Sequence, residues 1–173
     1  VRLAALDGRV DVPVLSRALP DVLGPDGQQL PPGAGIEDAL RELVRGEILD
    51  VAPGGEYVFA HRRLLDIAVE GGRAEDQAGL RAALATALLA VGNPDPARLA
   101  EHLEWCGRLD EARDAHREAA QAALDAYAPS RAEDHLRRYL ALSDPCAKPG
   151  VLARLELAVK CLAPSGRRAE AAV

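Results

Sequence analysis

Four histidines carry most of the proton chemistry this chain can offer, and each keeps different company. His61 stands between Tyr57-Val-Phe-Ala60 and Arg62-Arg-Leu-Leu-Asp-Ile-Ala68, where an extended run gives way to an amphipathic one. An imidazole N–H at the start of a helix can donate to an anion such as phosphate, aided by the positive end of the helix dipole. The plainer role is to cap that helix and pack on the preceding strands. His102 and Cys106 stand at i and i+4, a spacing that can bind a metal, but two ligands do not make a site, and no metal is expected. Arg113-Asp-Ala-His-Arg-Glu118 reads as a solvated helix face with local ion pairs. In His135-Leu-Arg-Arg-Tyr139, the residues His135, Arg138 and Tyr139 are candidate ligand contacts in a groove between helices. The alternative is a helix surface with Tyr139 in the core.

Other chemistry is thinly represented. Ser16 and Ser130 have no histidine and acid in useful sequence context, so no nucleophile is nominated. Asp110-Glu111 belongs at a helix start, where the dipole explains it. No Gly-x-x-x-x-Gly-Lys-Ser/Thr loop is present, so the segment should not hydrolyse ATP alone. An enzyme is not expected, and neither is a cofactor.

Elements that could position these residues follow from composition. Hydrophobic residues make up 49% of 173, but aromatics only 3%, so the core must be built from Leu, Val and Ala. Such a core suits closely packed helices better than a β-sandwich. The formal net charge is −6. Residues 1–70 hold seven basic and twelve acidic side chains, and the remainder fourteen and fifteen. Neither part is the basic surface that nonspecific phosphate binding demands. Three cysteines without paired spacing make no disulfide framework and no zinc site. No run approaches a membrane span and no signal peptide opens the chain, so a reducing cytoplasm is expected. Nineteen Arg against two Lys, with abundant Ala, hints at a GC-rich bacterial gene. The chain lacks Met and opens on Val1-Arg-Leu-Ala-Ala-Leu6, which reads as the end of a helix already under way. A fragment of a longer protein is therefore expected, a Val-coded start being the alternative.

Pattern predicts a helix from Asp11 with Pro13 in its first turn. A loop rich in Pro and Gly should cover Pro20 to Gly35. Ile36–Arg45 should be a strong helix, with Ile36, Leu40, Leu43 and Val44 on one face and acids in the first turn. Two short strands, Ile48–Val51 and Tyr57–Phe59, flank a Pro-Gly-Gly turn, and the helix Arg62–Glu70 follows. Gly71-Gly72 marks the expected domain boundary, giving a winged helix over 1–72 and helices alone over 73–173. Those helices are predicted at Ala74–Val91, Ala97–Cys106, Asp110–Ala126, Ser130–Leu142 and Gly150–Ala163. Their apolar stripes include Leu80, Leu84, Leu88 and Val91, and later Leu152, Leu155, Val159 and Leu162. The alanines of Asp110–Ala126 would let neighbours approach closely. Gly107-Arg-Leu-Asp-Glu-Ala112 and Gly166-Arg-Arg-Ala-Glu-Ala171 repeat a turn-and-small-residue pattern, with Tyr127-Ala-Pro-Ser-Arg-Ala132 between them. This pattern is that of degenerate tetratricopeptide-like repeats. The expected fold class is mainly α: a winged helix with a two-stranded wing, then a TPR-like superhelical array.

In this order the features resemble the winged-helix and helical-repeat part of bacterial signal-transduction ATPases with numerous domains, the STAND class. Large LuxR-type or cyclase-linked regulators are the nearest likeness. The residues that carry it are Leu3-Ala-Ala-Leu6, Ile36-Glu-Asp-Ala-Leu-Arg-Glu-Leu-Val-Arg-Gly-Glu-Ile-Leu49, Tyr57-Val-Phe-Ala-His61, Leu99-Ala-Glu-His-Leu103 with Gly107, and Ala126-Tyr-Ala128. The resemblance implies a neighbouring ATPase domain of the same chain, on which the winged helix packs. It implies repeats that sense an inducer or a protein. It also implies that His61 reaches the β-phosphate of ADP held by the ATPase domain, with Arg62 where an acid often follows. ATP or ADP would belong to the parent protein, not to this segment. Direct DNA binding is not expected, because Glu37, Asp38 and Glu42 would face phosphate. The alternative is a stand-alone winged-helix repressor with a helical dimerisation domain.

Overall fold

The structure, a computed structural model, describes residues 2–8, 10–21, 35–70, 74–92, 94–144, 146–164, 166–167 and 170. Most of the expected loop between Pro20 and Gly35, and the expected boundary at Gly71-Gly72, lie outside the described residues. The fold is mainly helical with one small antiparallel sheet. Packing divides it into two compact units, Val1–Pro94 and Asp95–Val173.

In the first unit, α1 (Arg2–Asp7) and α2 (Val12–Ala18) pack on α5 (Ala74–Val91). The Asp11 side chain caps α2 by accepting from the Val14 N–H at 3.2 Å, and Pro13 sits in the first turn, where no intrahelical donor is needed. The middle of α5 is apolar on most sides, and Ala83, Leu84, Ala85, Ala87 and Leu88 are all buried. Val91, expected on the buried stripe, faces outward instead. Helix α3 (Ile36–Arg45) buries Leu40 and half-buries Ile36, Leu43 and Val44, so its predicted face is the inner one. Strands β1 (Leu49–Val51) and β2 (Tyr57–Phe59) pair in the register Leu49 to Phe59, Asp50 to Val58 and Val51 to Tyr57. Their tip is closed by hydrogen bonds between Ala52 and Glu56 and between Gly55 and Ala52, each 2.8 Å. Val10 adds an isolated antiparallel bridge to Tyr57. Helix α4 (Arg62–Glu70) follows β2 and packs on α1.

The second unit is a run of antiparallel neighbours: α6 (Pro96–Trp105), α7 (Leu109–Asp125), α8 (Pro129–Ala141) and α9 (Lys148–Glu156). The last passes into a π-helical turn, Leu157–Leu162. Small residues set the spacing. Ala112, Ala115, Ala119 and Ala120 are the buried face of α7, and Leu103 and Leu136 fill the gaps from either side. A second layer joins Ala132, Leu136 and Tyr139 of α8 to Ala153, Leu157, Cys161 and Leu162. Here one expectation fails. Leu152, Leu155 and Val159 face outward, because α9 approaches α8 through its small residues Gly150 and Ala153.

Helix ends are closed by one device used repeatedly. After α6, Gly107 N–H reaches the Glu104 carbonyl and Arg108 N–H the Leu103 carbonyl, with Gly107 at φ 80°. The same pair of bonds recurs at Tyr127 and Ala128, at Gly166 and Arg167, and at Glu47 and Ile48 after α3. Each closure needs one residue in the left-handed region, which is cheap for glycine and costs other residues about 1–2 kcal/mol. Tyr127 occupies it at φ 54° with its side chain 94% exposed. Its ring therefore adds little burial to offset the strain. Tyr127→Gly should stabilise the protein by about 0.5–1 kcal/mol, after allowing for the greater freedom of glycine in the unfolded chain. Urea unfolding followed by circular dichroism checks this; an unchanged or lower midpoint would contradict it.

Candidate functional site

Three helices of the second unit bring four polar side chains into one hydrogen-bonded chain. Arg138 on α8 donates to Glu104 Oε2 on α6 at 2.6 Å. The same oxygen lies 3.1 Å from His116 Nε2 on α7. His116 Nδ1 then lies 3.0 Å from His135 Nδ1, back on α8. The ring centroids are 5.3 Å apart and tilted by 38°.

Protonation follows from the partners. Burial pushes the Glu104 carboxyl up, but hydrogen bonds from Arg138 and His116 outweigh it and hold the group below the usual carboxylate range. An ionised carboxylate only accepts, so His116 Nε2 carries a proton. Between the two Nδ1 atoms one ring donates and the other accepts. Burial lowers the proton affinity of His116, with the hydrogen bond to Glu104 opposing. Burial lowers that of His135 as well, and the charge of His116 adds to it. Both effects favour a neutral pair sharing a single bridging proton.

His135 and Arg138 also line an open groove of about 540 Å³ with Glu101, Arg131, Asp134 and Arg137. Arg137 is held by Glu133 at 2.9 Å and Glu170 at 3.5 Å. Tyr139, the third candidate on this segment, is 7% exposed and belongs to the core behind the groove. The mixed lining can hold a charged group of either sign and can exchange protons through His135.

His116 was expected on a solvated face and is instead fully buried. Arg113 does make the expected local pairs, with Asp110 at 3.1 Å and Asp114 at 2.9 Å. The signal for His116 was present in the spacing. It follows Ala112 by one turn and precedes Ala119 and Ala120 by another, so it shares their inward face. Glu104 carried no comparable signal, since its partners lie on other helices.

The remaining candidates are set apart from this cluster. His61 immediately precedes α4 and is exposed, its carbonyl accepting from Leu64 N–H at 3.0 Å. Arg62 beside it is exposed too. His102 is buried, and the Cys106 thiol donates to the Leu103 carbonyl at 3.4 Å. Among the described residues no three His, Cys, Asp or Glu side chains are grouped to hold a metal ion. No helix among them is long and apolar enough to cross a membrane. No protein-family model matches the chain, and neither does any curated protein or solved structure.

Removing one partner from a buried donor costs more than removing an exposed charge. Glu104→Ala leaves the fully buried His116 Nε2 without its acceptor and should cost about 1–3 kcal/mol. Arg138, with 56% of its side chain exposed, should cost at most about 1 kcal/mol as Arg138→Ala. Urea denaturation of both variants tests that order; equal losses would show that the hydrogen-bonded chain is held by its surface pair.

Proposed function

We propose that this chain is a regulatory, protein-interaction segment of a multidomain ATP-dependent transcriptional regulator of the STAND class, working in the cytoplasm. On this reading residues 1–72 are a winged helix that docks on an ATPase domain of the same protein. Residues 73–173 are a tetratricopeptide-like array whose groove takes an inducer or a protein partner. Occupation of the groove biases the docking, and the docking biases the nucleotide state. The segment itself binds no ATP and catalyses nothing.

The observation that carries the reading is the charge on α3. Glu37, Asp38 and Glu42 are exposed, and the nearby Arg41 is taken up by Glu37 at 3.3 Å and Asp38 at 2.6 Å. A helix so charged lies badly against a polyanion and well against a protein surface. The order α3, β1, β2, α4, with an isolated bridge from Val10 to Tyr57, supports a wing. Support for repeats comes from two ion pairs, Glu104 to Arg138 and Glu133 to Arg167, each joining residues 34 apart, the length of one tetratricopeptide unit. His61 and Arg62 stand exposed at the start of α4, where free N–H groups and the dipole favour a phosphate brought by a partner domain.

A mobility-shift assay with random genomic duplex separates this reading from a DNA-binding repressor. No retardation is expected at physiological salt, and clear retardation would favour the repressor. Calorimetry with ATP should give no binding heat. In the gene, a phosphate loop encoded on the N-terminal side of Val1 is expected; its absence would remove the regulator reading.

A further inference from the structure

The groove is lined in part by a ring that is also one half of the imidazole contact, so a change in that contact reaches the groove directly. We propose that the His116–His135 contact is a one-proton latch between α7 and α8, released when both rings become cationic. The latch stands on its own geometry; only its consequence for a partner rests on the function proposed above.

Geometry makes the contact all-or-none. At 3.0 Å between Nδ1 atoms there is room for one proton, donated by one ring and accepted by the other. His116 cannot turn to water, because it is fully buried and its Nε2 is engaged by Glu104. One added proton goes to the outer nitrogen of His135 and leaves the bridge in place; a further one, on His116 Nδ1, sets N–H against N–H and charge against charge. His135 is only half-buried, so it is the ring that must move. Its movement shifts the wall that holds Arg131, Asp134 and Arg138.

The surrounding charges pull in both directions. From α6, Glu101 and Glu104 favour the added proton. From α8, Asp134 favours it and Arg138 opposes it, while Arg131 and Arg137 lie along the same groove. From α7 the facing group is His116 itself, which opposes a charge on His135. Burial is the largest influence on both rings and opposes the charge. Both added protons therefore enter below the ordinary imidazole value of about 6.5. In the unfolded chain the same rings take them up nearer that value. The stability that the latch contributes is thus complete above about pH 6.5 and is lost as pH falls through the lower folded value. Glu104, held below its usual range, stays ionised across this window.

Nuclear magnetic resonance on the whole chain, with isotope-labelled imidazole nitrogens, reads the latch without any partner. At about pH 7.5 the His116 and His135 Nδ1 atoms should show one donor and one acceptor with a coupling across the hydrogen bond. As pH falls below about 6.5 that coupling should vanish once both rings are charged. Two rings that titrate independently, with no coupling at neutral pH, would overturn the proposal. A second measurement compares urea midpoints of the wild type and His135→Gln over the same range. The wild-type midpoint should fall more steeply with acid than that of the variant; parallel slopes would overturn the proposal. Absence of a phosphate loop in the parent gene would remove the regulator reading and leave both titrations as expected.

Discussion

A fully buried histidine on a helix of alanines is the constraint around which the second unit is arranged. Alanine brings helices close but offers them no polar contact, so His116 must find its partners on the neighbours at short range. Glu104 meets it from α6 and His135 from α8. Leaving either ring nitrogen unpaired would cost more than the bond itself is worth, since desolvation is not recovered. The hydrogen-bonded chain therefore fixes the rotation and height of three helices together. Arg138 ends it at the edge of the groove, where water begins to screen the charge.

A similar division between inner constraint and outer latitude runs through the other polar contacts. Arg117 of α7 and Lys160 both reach Glu156, whose side chain is 11% exposed, so the last helix is tied by charge where its apolar contacts thin out. Burial pushes that carboxyl up, and the hydrogen bonds from Lys160 and Arg117 more than compensate. On α3, by contrast, every ion pair is exposed and contributes little to stability.

Much of the local structure was legible from punctuation and period. Ile36–Arg45, Arg62–Glu70 and Ala74–Val91 begin and end where glycine, strand and charge place them. Helices α6, α7 and α8 begin and end one residue earlier than expected, Pro96 and Pro129 taking the first turns of α6 and α8, while the expected Gly150–Ala163 begins at Lys148 and ends in a π-helical turn. Burial was less legible where alanine and leucine compete for the inner face. On α9 the leucines were the obvious stripe, yet the glycine and alanine face inward, since close approach outweighs side-chain size there. Within the site, His135 and Arg138 could be singled out because they lie together on one helix. His116 and Glu104 could not, because their meaning arises only when α6, α7 and α8 are brought side by side. A histidine among charged neighbours looks solvated until its period is compared with that of the alanines.

The π-helical turn Leu157–Leu162 holds its chain with one residue more than an α-helix would use, as the Ala163 N–H bond to the Ala158 carbonyl at 2.9 Å records. That surplus lets two consecutive side chains, Cys161 and Leu162, point inward after Leu157. It makes this turn a reserve of length. Among related genes, loss of a single codon here could be absorbed by rewinding to the ordinary pitch, with the helix continuing on a rotated face. Elsewhere in the array the same loss would swing every later side chain away from its seat.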